Sequence, residues 1–266
     1  MTFNISDATI DVTNQNESEI SRIRETMDRY TFARVRGIFE SQEILTIRRN
    51  MEISFNPKND RKHDPKDSDL LLRNFQKVVI GGTQGVNGVP RLVRMFYNSF
   101  MDDDVFEMHQ IFRKLARFRN VIYNLDSEFT LSGIENGMWS ANRIQHYPRG
   151  GGFMAEHVDV GTANVAREMD LQSYVQILLL MSEKGRDFNT GGAYINLDGE
   201  RFFYESECKI GDVMIYDGRV NHGVEEIDYL EDFEMNTLNG RIVAMTTLFK
   251  HMTSGSTDEY KKLLDK

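Results

Sequence analysis

Short β-strands are predicted throughout the second half of the chain, and their number leaves few architectures open. Runs rich in Tyr, Phe, Ile and Val alternate there with Gly and Asp turns. The predicted strands cover residues 139–147, 173–181, 193–196, 201–205, 212–216 and 241–249. Asp198-Gly199 fits a two-residue hairpin turn between two of these strands. This pattern predicts an antiparallel sandwich or barrel.

The first half of the chain has a different pattern and is predicted to be mainly helical. Asn16 followed by Glu19 fits a capping box, and apolar residues recur after it at helical spacing. A short strand at 30–35 leads to a second helix that Ser41 can cap. A third helix carries an apolar stripe of Met108, Ile111, Leu115, Phe118 and Ile122. We therefore expect an α+β fold with a helical N-terminal layer on a β core.

Two polar or glycine-rich segments of the first half predict loops. Residues 56–69 are dense in Lys, Asp, Asn and Pro, and four glycines between 81 and 88 predict a mobile flap. We expect substrate contacts from residues 73–88. No linker separates the halves, so one domain is expected over residues 1–266. Its parts are helical support to about 138, the core at about 139–250 and a tail at 251–266.

Charge and cysteine content restrict the partners and the compartment. The formal net charge of −9 argues against nucleic acid or an anionic membrane as a partner, since both select for clustered Lys and Arg. Cys208 is the single cysteine, so an intramolecular disulfide and a multi-cysteine zinc site are excluded. The first residues lack the pattern of a signal peptide. We expect a cytoplasmic protein that acts on a small-molecule substrate.

A metal site is predicted at Glu156-His157-Val158-Asp159. Residues two apart in a strand project to one face, so His157 and Asp159 can reach the same ion. Two imidazoles and one carboxylate form a ligand set that suits Fe(II) and leaves coordination positions open. The third ligand must come from another of the six histidines. His222 is the best placed, because it follows a predicted buried strand and begins another.

A His-x-Asp pair alone occurs often by chance, but its surroundings form a longer pattern. The pattern consists of Tyr147, Gly150 to Gly152, His157 with Asp159, Gly191-Gly192, Gly211-Asp212, His222 and Arg241. Residues 140–250 in this respect resemble the non-haem Fe(II)/2-oxoglutarate-dependent dioxygenase superfamily. The resemblance is to its prolyl-4-hydroxylase-like and phytanoyl-CoA-hydroxylase-like branches. It implies a double-stranded β-helix core, also called a jelly-roll and shared with cupins.

The resemblance also implies the cofactors and the residues that bind them. Fe(II) would be bound by His157, Asp159 and His222, with 2-oxoglutarate and O2 as cosubstrates. Arg241 would form a salt bridge with the distal carboxylate of 2-oxoglutarate, and Tyr147 would add a hydrogen bond to it. A guanidinium suits this task because it binds a carboxylate in bidentate fashion. Arg241 lies 19 residues after His222, farther than is usual, so we interpret residues 227–239 as a surface insertion.

Two further polar residues of predicted strands leave alternatives open. Gln176 interrupts an aliphatic strand, so its amide needs a partner if it is buried. It would contact 2-oxoglutarate or substrate, or bond to a neighbouring strand. Arg143 shares strand parity with Tyr147. It would bind 2-oxoglutarate or a substrate carboxylate, or form a salt bridge at the surface.

The activity that this resemblance implies is hydroxylation of an unactivated C–H bond in a small molecule, with release of succinate and CO2. An amino acid or a natural-product intermediate is the expected substrate, and a peptide side chain is an alternative. The carboxylate of Asp159 argues against halogenation, which uses a small residue there. A cupin-like enzyme with three histidine ligands and no 2-oxoglutarate is a rival hypothesis that requires His146. A non-catalytic binding protein of the same fold is a third hypothesis.

Overall fold

The computed structural model describes residues 4–62, 72–81, 89–159 and 175–250. The α-helices are α1 (Glu17–Tyr30), α2 (Ser41–Ser54) and α3 (His109–Ile122). The first six strands are β1 (Thr9–Asp11), β2 (Phe32–Arg36), β3 (Phe75–Gly81), β4 (Arg91–Tyr97), β5 (Met138–Pro148) and β6 (Gly152–His157). The next six are β7 (Val175–Leu180), β8 (Gly192–Leu197), β9 (Glu200–Phe203), β10 (Val213–Asp217), β11 (His222–Ile227) and β12 (Gly240–Lys250). Short 3-10 helices cover Ile5–Ala8, Pro57–Asn59 and Tyr204–Glu207.

The helix starts show where local sequence signals determine the structure. At α1 the Asn16 side chain accepts a hydrogen bond from the Glu19 amide at 3.0 Å, and the Glu19 carboxylate accepts one from the Asn16 amide at 3.1 Å. The predicted capping box is therefore confirmed. The predicted cap of α2 is wrong. Glu40 is the N-cap, and the Ser41 hydroxyl instead donates to the carbonyl of Ile210 at 2.6 Å, so it joins α2 to the β core.

The strands of both halves of the chain join one sheet of twelve strands. Its order is β1-β2-β10-β7-β12-β5-β4-β6-β11-β8-β9, and β3 pairs with β4. Apart from the parallel pair β1–β2, neighbouring strands are antiparallel. The predicted hairpin is confirmed, because Leu197 pairs with Glu200 across a turn in which Asp198 and Gly199 both have positive φ. The order is consistent with a jelly-roll core.

The helical N-terminal layer is not confirmed as predicted. The three helices are present, but the first half of the chain also contributes β1 to β4 to the sheet. The apolar runs of β3 and β4 flank the glycines that predicted a flap, and they pair as a hairpin. β4 then pairs with both β5 and β6. The flap beyond Gly81 and residues 63–69 of the predicted 56–69 loop lie outside the described residues.

The core lies on both sides of β5 and its neighbours. Ile144 belongs to the cluster that includes the buried stripe of α3. Tyr147 belongs to a second cluster formed by side chains of the opposite face, with Phe32, Leu178 and Met245. Strand alternation therefore gives one helix-covered face and one face that lines the interior of the jelly-roll. Within the described ranges, no helix is long and apolar enough to cross a membrane.

Candidate metal centre and pocket

Three side chains with metal-ligating atoms converge at the ends of β6 and β11. His157 is the last residue of β6 and pairs in register with His222, the first residue of β11. Asp159 follows β6 by two residues, and its amide donates to the Gly218 carbonyl at 2.8 Å. One ligand atom of each of the three side chains lies within 4.8 Å of the others. This is the His-Asp-His set that the sequence predicts.

Backbone carbonyls orient both imidazole rings toward Asp159. The Nδ1 atom of His157 is 2.9 Å from the Ala155 carbonyl, and that of His222 is 2.8 Å from the Val220 carbonyl. A carbonyl only accepts hydrogen bonds, so each ring keeps a proton on Nδ1, and Nε2 is the atom that can lose its proton and offer a lone pair to a metal. These Nε2 atoms lie 3.6 Å and 3.4 Å from the Asp159 carboxylate. The arrangement is that of histidine ligands oriented by their second nitrogen.

Asp159 is held in its charged form by its surroundings. Burial alone would raise the pKa of its carboxyl, but hydrogen bonds and charge from His157 and His222 lower that pKa well below its usual range. Gln176 also donates from Nε2 to Asp159 Oδ2 at 2.7 Å. A carboxylate that is ionised and fixed in this way is ready to bind a cation.

A pocket beside these three residues contains every side chain that the sequence predicts for the site. It encloses about 480 Å³ of non-protein space, counting its open mouth. The predicted residues that line it are Arg143, Tyr147, His157, Asp159, Gln176, His222 and Arg241. The insertion at 227–239 has therefore not displaced Arg241. The roles of these side chains stay predictions, and their convergence on one cavity is what the structure establishes.

Arg241 is buried in the pocket wall and is held on one edge only. Its Nε donates to both carboxylate oxygens of Glu205, at 2.8 Å and 3.0 Å, while its Nη2 is buried without a hydrogen-bond partner among the described residues. Burial alone would lower the pKa of Arg241, but the charge of Glu205 raises it above its usual value. The guanidinium is thus charged, fixed on the Nε side and able to donate on the other side.

Tyr147 lies opposite Arg241 in the β5–β12 register, and its ring is 5.0 Å from the guanidinium carbon. Its hydroxyl donates to Gln145 Oε1 at 3.1 Å. Burial raises the pKa of the Tyr147 hydroxyl, which therefore stays protonated. Tyr147 is in place for the predicted hydrogen bond to a carboxylate that Arg241 binds, provided the hydroxyl turns from Gln145.

Gln176 and Arg143 differ in the partners that they have. Gln176 contacts Asp159 directly and accepts a long hydrogen bond from the Thr247 hydroxyl at 3.5 Å. Its amide is thus occupied by a candidate metal ligand and by a neighbouring strand. Arg143 has a buried Nη1 without a hydrogen-bond partner among the described residues. Its guanidinium carbon lies 5.7 Å from the Phe249 ring.

His146 faces away from the pocket. Adjacent residues of a strand point to opposite faces, and its neighbour Tyr147 lines the pocket. Its Nδ1 is 3.1 Å from Arg94 Nη1, and its Nε2 is 2.9 Å from the Asn239 carbonyl. Both ring nitrogens are therefore engaged on the other side of β5. The rival three-histidine site lacks its required third ligand.

Two residues near Arg241 and Tyr147 were missed by the sequence analysis. Glu205 lies in the Tyr204–Glu207 3-10 helix with a second acidic residue, Glu207, and acidic side chains are rarely buried unless they are paired. Gln145 lines the pocket between Arg143 and Tyr147. The period-two pattern of β5 would have placed Gln145 beside these two residues. No comparable signal exists for Glu205, because its partner is 36 residues away.

Comparison with known proteins shows a similarity of structure without a similarity of sequence. No protein-family model matches the chain, and no curated protein matches it. A prolyl hydroxylase from Trichoplax adhaerens, solved with a hypoxia inducible factor peptide, is similar with a TM-score of 0.54 and 12% identity over 95% of this chain and 94% of that one. The α-ketoglutarate-dependent epimerase SnoN from nogalamycin biosynthesis is similar with a TM-score of 0.52 and 10% identity, over 94% of this chain and 90% of that one.

A third similar structure is an oxidoreductase of the 2OG-Fe(II) oxygenase family from Burkholderia pseudomallei. Its TM-score is 0.50, with 10% identity over 92% of this chain and 97% of that one. These likenesses extend over nearly the whole of each chain. The chain therefore has the fold of the 2-oxoglutarate/Fe(II) oxygenases, and the resemblance inferred from the sequence is confirmed at the level of fold.

Proposed function

We propose that this protein is an Fe(II)- and 2-oxoglutarate-dependent oxygenase. The observation that carries the proposal is one pocket that contains both halves of the required site. At one place two imidazole Nε2 atoms and a carboxylate converge. At another, a buried arginine presents an unpartnered Nη2. The fold is the one in which 2-oxoglutarate/Fe(II) oxygenases are built.

The donor set fits a divalent iron ion. His157, Asp159 and His222 would supply two nitrogens and one oxygen, a combination that binds non-haem Fe(II) and leaves positions for further ligands. The carbonyl partners of Nδ1 leave Nε2 of each histidine for the metal, and Asp159 is ionised. Metal binding would require Nε2 of both rings to be unprotonated.

Arg241 fits the distal carboxylate of 2-oxoglutarate. Its Nε edge is occupied by Glu205, so the remaining donors are those of the two Nη nitrogens. A carboxylate can accept two parallel hydrogen bonds from such an edge. Such an acceptor would satisfy the orphaned Nη2, and a buried unpaired donor is unfavourable.

When bound, iron and 2-oxoglutarate would supply the activation of O2, coupled to decarboxylation of the keto acid to succinate and CO2. The side chains of this chain would bind, orient and shield the reactants. His157, Asp159 and His222 would fix the metal, and Arg241 would fix the cosubstrate. The apolar side chains that line the cavity, Met154, Leu178, Val224 and Met245, would exclude water from the reacting atoms.

Hydroxylation of an unactivated C–H bond in a small molecule is the reaction we propose. An amino acid or a natural-product intermediate remains our proposed substrate, and the cytoplasm our proposed location. We do not propose halogenation, because the carboxylate of Asp159 would occupy the metal position that a halide ion would need.

Anaerobic reconstitution of the purified protein tests this proposal. Fe(II) is added first and 2-oxoglutarate second, while iron binding and the visible spectrum are recorded. We expect one bound iron and a weak visible charge-transfer band that appears only with 2-oxoglutarate. His222→Ala should lose the iron, and Arg241→Ala should keep the iron but need much more 2-oxoglutarate for the band. Arg117→Ala, which removes an exposed arginine, is the matched control and should behave as the parent.

Two results would contradict the proposal in different ways. Iron that binds equally well to the His222→Ala protein would exclude the predicted ligand set. Iron that binds to the parent protein without any response to 2-oxoglutarate would exclude the cosubstrate. In that case a metal-dependent activity without 2-oxoglutarate would take its place.

A further inference from the structure

We infer that Arg143 binds a carboxylate of the substrate, so that the molecule oxidised in this pocket is a small carboxylic acid. This inference rests on the proposed function, because it assigns the remaining basic residue of the same pocket. It selects one of the two ligands that the sequence leaves open for Arg143. The structure supports the selection through the position of Arg143 and its lack of an acidic partner among the described residues.

The position of Arg143 separates it from the side chains assigned to the cosubstrate. Arg143 is opposite Met245 in the β5–β12 register, whereas Tyr147 is opposite Arg241. Four residues along paired strands correspond to about 13 Å of backbone. The two arginines therefore approach the pocket from different levels of the sheet.

Arg143 and Gln176, the residue that contacts Asp159, lie on the two strands that flank β12. Met245 of β12 pairs with Arg143 of β5 on one side and with Leu178 of β7 on the other. Gln176, which contacts Asp159, is on β7. Two strand spacings, or about 10 Å, lie between β5 and β7. Arg143 thus faces the cavity from β5, whereas Arg241 is on β12 and the metal ligands His157 and His222 are on β6 and β11.

Arg143 has no carboxylate partner among the described residues. The structure gives it no ion pair, its Nη1 is buried without a hydrogen bond, and its ring contact is with Phe249. Two fully buried arginines, Arg94 and Arg241, have the carboxylate partners Asp60 and Glu205. A buried donor without a partner is unfavourable, so a ligand that accepts a hydrogen bond from Nη1 of Arg143 would stabilise the protein, and an anion is the strongest such acceptor.

The other charges of the site favour a single carboxylate as that anion. Asp159 would be neutralised by the metal, and Glu205 is neutralised by Arg241. The free Nη edge of Arg241 is sufficient for the one distal carboxylate of 2-oxoglutarate. Arg143 is then the one cationic side chain of the pocket lining that has neither an acidic partner among the described residues nor an assigned ligand. A carboxylate of charge −1 matches it better than a phosphate monoester, which carries a charge nearer −2.

Binding measurements test this inference without relying on turnover. The protein is loaded with redox-inert Mn(II) and saturating 2-oxoglutarate, and then titrated calorimetrically. The titrants are short aliphatic and aromatic monocarboxylic acids, with and without an α-amino group, each beside its primary amide. We expect at least one acid to bind, and its amide to bind about 10- to 100-fold more weakly. Phosphate monoesters form a second arm and should not bind.

Arg143→Gln supplies the decisive comparison, because glutamine keeps polarity and removes the charge. It should weaken binding of the acid by about 10- to 100-fold and leave the amide unchanged. The dissociation constant of 2-oxoglutarate should stay the same. Arg143→Lys should recover part of the acid affinity, since it restores the charge without the planar fork. Arg117→Gln is the control for removal of an exposed arginine.

Several outcomes would overturn the assignment. If Arg143→Gln weakens 2-oxoglutarate and spares the acid, Arg143 serves the cosubstrate. If acid and amide bind alike, or if no acid of the panel binds, the substrate class is wrong. Preferred binding of phosphate monoesters would have the same meaning. Failure of the proposed function itself would be distinguishable, because the parent protein would then not bind 2-oxoglutarate in the presence of metal.

Discussion

Glu205 holds Arg241 through both carboxylate oxygens, at 2.8 Å and 3.0 Å from Nε, and both side chains are buried. Glu205 is itself fixed, because its Oε2 accepts a hydrogen bond from the Ala193 amide at 2.8 Å. Gly192 leaves room for this contact, since a Cβ there would lie 2.9 Å from Oε2. The orientation of the guanidinium is therefore set by β8 and by the Tyr204–Glu207 3-10 helix, before any ligand binds.

Replacing Glu205 by Gln should destabilise the protein. The amide cannot neutralise Arg241, and its NH2 group cannot accept the Ala193 amide while its oxygen accepts from Arg241. Breaking a buried ion pair in this way costs about 3–5 kcal/mol. Urea unfolding of Glu205→Gln measures this loss. Glu207→Gln, an exposed change in the same 3-10 helix, should leave the unfolding free energy nearly unchanged, and equal effects of both changes would exclude a special role for the pair.

Gln176 should matter for metal affinity through Asp159. Its hydrogen bond to Oδ2 orients the carboxylate, and loss of such a partner weakens metal binding by about 10- to 100-fold. We expect this loss in Gln176→Leu, measured by titration of the apo-protein with Fe(II) or Mn(II). Gln145→Leu is the matched control, because Gln145 lines the same pocket but bonds to Tyr147. Equal metal affinity in both variants would contradict the orienting role.

The parts of the site that the sequence could predict are those that depend on strand parity. His157 and Asp159 are two residues apart, and Arg143 and Tyr147 four apart, so each pair faces one side. The same parity places His146 on the opposite side, where the structure finds it. Glu205 could not be predicted, because a pairing over 36 residues depends on how β8 and β12 are brought together.

In the fold, too, the sequence predicts features that depend on neighbouring residues and misses those that depend on distant contacts. The Asn16 capping box and the Asp198-Gly199 turn are signals within four residues, and both are confirmed. The Ser41 cap fails because its hydroxyl has a stronger option in the distant Ile210 carbonyl. β3 and β4 were missed because the glycines between them dominated the local pattern. Local signals therefore identify turns and helix starts, whereas tertiary contacts decide which hydrogen-bond partners the polar side chains there have.

Stability should fall in acid because of His146. Burial, opposed by its hydrogen bond to the Asn239 carbonyl and reinforced by Arg94, lowers the pKa of His146 to about 3. The unfolded chain has the ordinary histidine pKa of about 6.5. The unfolded state therefore binds the proton more readily between these values. The stabilisation by neutral His146 is complete above pH of about 6.5 and is lost as the pH falls toward 3.

Urea unfolding at pH 7 and pH 5 measures this effect. Because of His146, the unfolding free energy of the parent protein should fall by about 2 kcal/mol between pH 7 and pH 5. The fall is about 1.4 kcal/mol for each pH unit below about 6.5. His146→Gln keeps an acceptor for Arg94 and a donor for the Asn239 carbonyl but does not titrate. Its loss between the two pH values should be smaller by this amount. The same loss in both proteins would show that other groups account for the acid sensitivity.

Arg94 should anchor the insertion at 227–239 to the sheet. It is fully buried on β4, where its Nε and Nη2 donate to the Asp60 carboxylate at 2.9 Å and 2.8 Å. Nη2 also donates to the Met235 carbonyl at 2.6 Å. One side chain thus joins β4, the segment after α2 and the end of the insertion. The other end of the insertion is held separately, because Asp228 is buried and its Oδ1 accepts hydrogen bonds from the Asn189 and Thr190 amides at 2.8 Å.

Replacing Arg94 by Met keeps the length of the side chain but leaves Asp60 and the Met235 carbonyl without their donor. Loss of one partner of a buried ion pair lowers the unfolding free energy by about 3–5 kcal/mol. Limited proteolysis should also cut within 227–239 faster in Arg94→Met, because that segment loses its attachment to β4. Arg117→Met removes an exposed pair with Glu128, which solvent screens, and should do neither. A loss of stability without faster cleavage at 227–239 would mean that Arg94 supports the core and not the insertion.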